Sequence, residues 1–179
     1  MFSANSNGRI QRLLDQLRHP NWRRRRRATN TLIEVGEPAV AGLIGVLHSN
    51  HLFARLAASE ALAEIGNPAV QALIDALHSD TADARAHAAG ALGQIRDRRA
   101  VDPLIALLND DVAQVRRAAA LALGVMHPRA AVDALIRSLD DPDFGTTQLA
   151  AEALERIGTM EGRRAAQAWR DRQANASGQ

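Results

Sequence analysis

Leucines recur along this chain at a fixed interval. Leu13, Leu43, Leu73, Leu104 and Leu135 step by 30, 30, 31 and 31 residues, and Leu17, Leu47, Leu77, Leu108 and Leu139 keep the same steps. Leu32, Leu62, Leu92, Leu123 and Leu154 form a third ladder, and Val35, Ile65, Ile95, Met126 and Ile157 a fourth. Four ladders in one rhythm mark an internal repeat. Each unit predicts two helices. In the first, apolar residues fall at i, i+3, i+4 and i+7, as in Val40, Leu43, Ile44 and Leu47, one face of a 3.6-residue helix. The second is longer, and sets a column of small residues (Ala58, Ala88, Ala119, Ala150) beside the large ones, so that helices approach closely.

The punctuation agrees. Gly36, Gly66 and Gly158 follow second helices, where a left-handed residue is wanted. Pro38 and Pro68 sit near the first turn of the next helix. Ser49–Asn50, Ser79–Asp80 and Asp110–Asp111 stand between the helices of a pair and suit capping of the second. One such pair cannot bury its apolar face alone, whereas stacked pairs share a core. The expected fold is therefore all-α, an α/α superhelix: a right-handed solenoid of about five helical hairpins and a terminal helix. Residues 1–39 read as an N-terminal capping repeat, 40–158 as the regular repeats, and 159–179 as a capping helix with Trp169 over the last core layer and a disordered ANASGQ tail, all one continuous domain.

Composition supports this and adds limits. Of the 179 residues 46% are apolar but only 3% aromatic, with no Tyr, which favours helix over sheet. The absence of Cys excludes disulfides, thiolate metal sites and Cys nucleophiles. All 22 basic residues are Arg, so the isoelectric point near 10.7 overstates a net charge of only +2. No apolar run is long enough to span a membrane, and the first residues lack a signal-peptide core. A cytoplasmic protein without a membrane partner is expected.

The segments AAGALGQIRDRRAVDPLIALLNDD and AAALALGVMHPRAAVDALIRSLDD resemble HEAT-like repeats of the phycobilisome-lyase type, over about residues 9–158. The resemblance implies the superhelix and a structural Asp–Arg pair, matched by Asp110 and Arg116. Arg55 and Arg85 keep the Arg, with Asn50 and Asp80 one place off the acid position, and Thr147 replaces it in the last unit although Asp141 remains. The resemblance also implies a choice among bilin lyases, hydroxylases and bare scaffolds. The di-iron hydroxylases on this fold need several His-Glu dipeptides, and this chain has none; His87 is followed by Ala88. A bilin-lyase-like or other accessory-enzyme role stays the alternative that the resemblance implies, the solenoid holding an open-chain tetrapyrrole or its acceptor protein; the aromatics that could stack on a pigment are Trp22, Trp169, Phe2, Phe53 and Phe144.

Direct chemical signals are few. His48 and His78 end equivalent first helices, where they suit the helix dipole; with His51 they are weak metal candidates. No phosphate-binding glycine loop and no nucleophile elbow occur. Asp75, Asp102 and Asp133 read as solubilising residues of first helices. No catalytic residue and no cofactor is assigned, and the chain reads as a non-enzymatic scaffold.

The most unusual segment is Trp22-Arg23-Arg24-Arg25-Arg26-Arg27. Arg25 falls in register with Arg55, Arg85 and Arg116, whereas Arg24 takes the place of Ala84 and Val115, and Arg27 that of Ala57 and Ala118. This is either a polar cap or an anionic-partner patch in which Trp22, Arg23, Arg24, Arg26 and Arg27 bind. A second candidate surface is the outer row of the second helices, where Leu56, Glu60, Arg117 and Leu121 would accept a partner helix. The partner read from these features is a protein, acidic or helical. Nucleic acid is the weaker reading, because residues 40–95 are net −3.

Overall fold

The computed structural model describes residues 4–177, and side chains over 7–175. Among the described residues it holds 11 α-helices and no strand. The chain divides into two compact units, Met1–Ile95 and Arg96–Gln179. The first contains α1 (Ala4–Gln16), α2 (Trp22–Val35), α3 (Glu37–Leu47), α4 (Leu52–Ile65), α5 (Val70–Ala76) and α6 (Ala82–Ile95). The second contains α7 (Val101–Ala106), α8 (Ala113–Met126), α9 (Val132–Arg137), α10 (Phe144–Ile157) and α11 (Met160–Ser177). These are five hairpins and a terminal helix of the α/α solenoid class.

In the first unit α1, α3 and α5 lie side by side, as do α2, α4 and α6; in the second, α8 packs on α10, and α11 covers α9 and α10. The ladders are the core. Leu43, Leu73, Leu104 and Leu135 are wholly buried, as are Leu32, Leu62, Leu92, Leu123 and Leu154. Each contributes roughly 1.5–3 kcal/mol through burial. The Ala column at Ala58, Ala88, Ala119 and Ala150 is sealed too. The fourth ladder is half-buried at all five positions. One rung is displaced: Leu14 is buried and Leu13 only half-buried. Gly42 explains this, because a Cβ there would overlap the Leu14 Cδ1 methyl, and its absence makes the hole that Leu14 fills.

Second helices end on a positive φ throughout: Gly36, Gly66 and Gly158 at 72°, 76° and 78°, and Arg96 and His127 at 60° and 57°. Gly158 and His127 are left-handed helical in full, whereas Gly36 and Gly66 take ψ of −137° and −131°, a region open to glycine. The turn between the helices of a pair has its own device. Ser49, Ser79, Asp110 and Asp141 each accept the backbone N–H two residues on, at 3.2, 3.2, 2.9 and 2.8 Å, and in the first hairpin His19 Nδ1 does so at 3.0 Å. They brace the turn rather than cap the helix, as sequence suggested. Asn21 and Asp143 are the side chains that cap α2 and α10.

At the end of the chain Trp169 is buried, with its ring 6.0 Å from that of Phe144. Ala174–Ser177, expected in a disordered tail, continue α11, as two alanines among four residues favour. Gly178 and Gln179 lie outside the described residues.

Candidate functional site

The recurring Arg proves structural. Arg25, Arg55, Arg85 and Arg116 each donate from Nη1 to the carbonyl six residues earlier, that of His19, Ser49, Ser79 and Asp110, at 2.8, 2.6, 2.9 and 2.8 Å. Each guanidinium thus ties the second helix to its preceding turn. The family pair expected between Asp110 and Arg116 is therefore an Arg-to-backbone contact within the repeat. The carboxylate that Arg116 grips is Asp141 of the following repeat, by Nε at 2.7 Å and Nη2 at 2.9 Å. Both side chains are nearly buried, at 12% and 8% exposure. Burial opposes the charged form of Asp141, but Arg116 and the Asp143 backbone N–H outweigh it and hold its pKa below the usual carboxylate value. Arg55 finds Asp83 instead, Nη2 to Oδ2 at 3.0 Å, and its buried Nε has no acceptor among the described residues. Asp80 is exposed. Thr147, where Arg is lost, donates to the Phe144 carbonyl.

The Arg run is different. Arg23, Arg24, Arg26 and Arg27 are exposed, and none has a carboxylate partner among the described residues. Arg24 Nη1 lies 3.1 Å from His19 Nε2. Arg23 sits 5.7 Å from the centre of the Trp22 ring, and Arg25 lies over the Phe53 ring at 4.6 Å. Beside the run, α2 and α4 enclose a groove of about 200 Å³, lined by Trp22, Arg25, Arg26, Phe53, Leu56 and Glu60 among others. Trp22, Phe53 and Leu56 are 62%, 60% and 47% exposed, large values for apolar side chains gathered in one place. Sequence reasoning named Trp22, Arg26, Leu56 and Glu60 but split them between two surfaces, and it left Phe53 out. Register does not reach it: Trp22, Leu52 and Phe144 begin second helices and are exposed, but Phe53 stands one place later, in line with Arg23.

In the second unit the proposed row is partly spent. Arg117 pairs with Asp143 at 3.0 Å, leaving Leu121, 44% exposed, as its open apolar residue. Gln148 donates to Glu152 one turn on. A wider depression of about 860 Å³ is lined by Glu155, Gly158, Met160, Arg163, Arg164 and Gln167. It is larger than the α2–α4 groove but offers one large apolar residue, Met160, against three large ones and Ala57, so size is a poor guide here.

His48 and His78 line one cleft with Asp75 and Ser79. His48 Nδ1 lies 3.2 Å from Thr81 Oγ1 and 3.4 Å from Ser79 Oγ, in hydrogen-bond contact with hydroxyls. His51 stands at the start of α4. No group of three metal-ligating side chains is found among the described residues. Among the described residues no helix is long and apolar enough to cross a membrane.

The family described as HEAT repeats matches residues 10–85, 70–155 and 112–175. Among solved structures, the complex of CpcE and CpcF of phycocyanin lyase from Nostoc sp. PCC7120 is similar at 28% identity and TM-score 0.67, over 74% of this chain and 86% of that one. Human deoxyhypusine hydroxylase in complex with glycerol is similar at 27% identity and TM-score 0.56, over 83% of this chain and 62% of that one. A designed armadillo repeat protein in complex with the peptide (KR)4 shares the fold at 18% identity and TM-score 0.51, over 89% and 87%. No curated protein matches the sequence.

Proposed function

The chain belongs to the HEAT-repeat family, and from that premise we propose that it is a non-catalytic protein-binding scaffold of the cytoplasm that docks its partner on the second helices. The observation that carries this reading is the groove between α2 and α4. Three large apolar side chains stand in water there beside unpaired guanidinium groups. A monomer gains nothing from that exposure, while a partner that covers it gains apolar burial and charge contact together. The absence of His-Glu dipeptides favours this reading over a di-iron enzyme.

A photo-crosslinking side chain at Leu56 tests it in an extract of the host cell. A discrete, nuclease-resistant protein adduct is expected from Leu56 and not from Gln71, an exposed residue of the first-helix row. Equal labelling from both positions, or adducts that nuclease removes, would sink the proposal.

The likeness to the phycocyanin lyase complex favours a second reading, an accessory subunit of a bilin lyase. Co-expression with a bilin and an acceptor protein tests it: a new visible absorbance band on the acceptor, dependent on this chain, supports the lyase role.

A further inference from the structure

We propose that the α2–α4 groove takes a short acidic amphipathic helix, its apolar side chains against Phe53 and Leu56 and its carboxylates along α2. The inference rests on the scaffold reading and names the chemistry of the partner.

The groove is asymmetric. One wall is α2, which presents Arg26 and Arg25 to the groove, with Arg23 against the Trp22 ring; the other is α4, which presents Leu56 and, one turn on, Glu60. Glu60 is the lining's single carboxylate. Acidic residues of a ligand are thus drawn to α2 and repelled from the far end of α4, which fixes how it lies. The partner is a helix rather than a strand because both walls are helices, whose backbone N–H and C=O groups are used internally; an added strand would find no ladder. The length of α2, 14 residues, accommodates about three to four turns.

Two rival occupants fit less well. A nucleic acid would bring a phosphate past Glu60, and the positive charge is not continued, since residues 40–95 are net −3. A second copy of this chain would have to offer its acidic stretch, but Asp140, Asp141, Asp143, Glu152 and Glu155 each lie within ion-pair distance of an Arg of their own unit, which leaves the exposed Glu161.

Fluorescence anisotropy on the full chain at ~0.15 M salt tests this. The probe is a labelled helical peptide of roughly 16 residues, about 24 Å long, with Leu and Phe at i, i+3, i+4 and i+7 and Glu elsewhere. Controls replace Glu by Lys, replace the apolar residues by Ser, or use an oligodeoxythymidine of similar length. The acidic peptide is expected to bind in about the micromolar range, and the two altered peptides at least tenfold more weakly. R23E/R26E and L56S should each weaken it about tenfold, with the circular dichroism melt unchanged, and E60K should tighten it by about threefold. No binding of the acidic peptide, no response to R23E/R26E, or equal affinity for the oligonucleotide would each overturn the inference. If the peptide is silent while crosslinking at Leu56 still captures a protein, this inference fails and the scaffold reading stands. If the oligonucleotide binds best and the adducts are nuclease-sensitive, both fail.

Discussion

Two segments of the chain carry opposite charge and dispose of it in opposite ways. Residues 1–39 hold eight arginines against three carboxylates, and residues 140–161 hold six carboxylates against one arginine. Taken as strings, they look like complementary poles. In the folded chain the acidic pole largely vanishes. Arg116 and Arg117 of α8 take Asp141 and Asp143, Arg170 and Arg172 of α11 take Glu155 and Asp140, and Arg156 takes Glu152. The basic pole survives, because α2 has four exposed arginines and no carboxylate to meet them among the described residues. Segment charge measures what must be neutralised, while surface charge is what neighbouring repeats leave over.

The sharpest way to break this contrast is to remove one partner from the C-terminal unit. Arg116→Met strips the guanidinium from a nearly buried carboxylate and from the Asp110 carbonyl at once. A loss of about 3 kcal/mol is expected, read as a lowered urea midpoint. Arg116→Met with Asp141→Asn should recover part of it, since no uncompensated charge then remains. If the single substitution changes the midpoint by less than ~0.5 kcal/mol, the pair is ornamental and the contrast collapses.

The next test compares Arg55 with Arg116. Both clamp their own turn, but Arg116 also has a two-point carboxylate at the brace position of the next turn, where the repeat after Arg55 carries Ser79, which accepts the Thr81 N–H. The Arg55 Nε is left buried without an acceptor, and Asp83 meets the guanidinium at Nη2. Ser79→Asp would restore the arrangement of Asp141, which both braces the turn and grips the guanidinium. A gain of about 1 kcal/mol is expected in chemical denaturation. A loss would show that Asp83 already satisfies this site.

These two cases mark how far the sequence could be read. The Leu32-to-Leu154 ladder was legible because its period survives one-residue insertions and its residues have one role. The groove residues were half legible: Trp22 and Leu56 announced exposure by register, but nothing in the string joins α2 to the start of α4 at Phe53. The Arg partnership was legible only in part, for a structural reason. In a repeat protein the acid before Arg116 and the acid of the following repeat, Asp110 and Asp141, stand at the same place in the period, so spacing cannot tell which one the guanidinium reaches. The rung at Leu13 failed because its choice over Leu14 is made by Gly42, a residue of another helix.

A smaller effect should appear with pH. His87 on α6 is half-buried, and burial first, then the positive charge of Arg55, lower its pKa below 6.5. The unfolded chain therefore takes up this proton before the folded one. Stability is intact above pH 6.5 and falls as the pH drops through the lower folded value. His87→Gln should flatten that decline in melting temperature. Combining Ser79→Asp with the native His87 should shallow it too, because a carboxylate on Arg55 cancels the charge that opposes protonation. An unaltered acid slope in both variants would detach His87 from the Arg55 site.

The smallest expected effect is the one the contrast most needs. Arg26 and Arg27 are exposed and make no ion pair, so Arg26→Gln and Arg27→Gln should leave the melt within about ±0.5 kcal/mol of the parent. Relief of repulsion along α2, where five arginines follow one another, pushes the change toward stabilisation. The same substitutions at Arg116 or Arg170 would remove a bonded partner, as the Arg170–Glu155 contact shows. A stabilised chain that binds the acidic peptide more weakly would separate the two kinds of arginine on one molecule. Arginines that cost stability where they stand, and return it only when an anionic helix arrives, are what a docking surface requires. A loss of stability on Arg26→Gln would instead make the run a structural cap, and the groove beside it an accident of that cap.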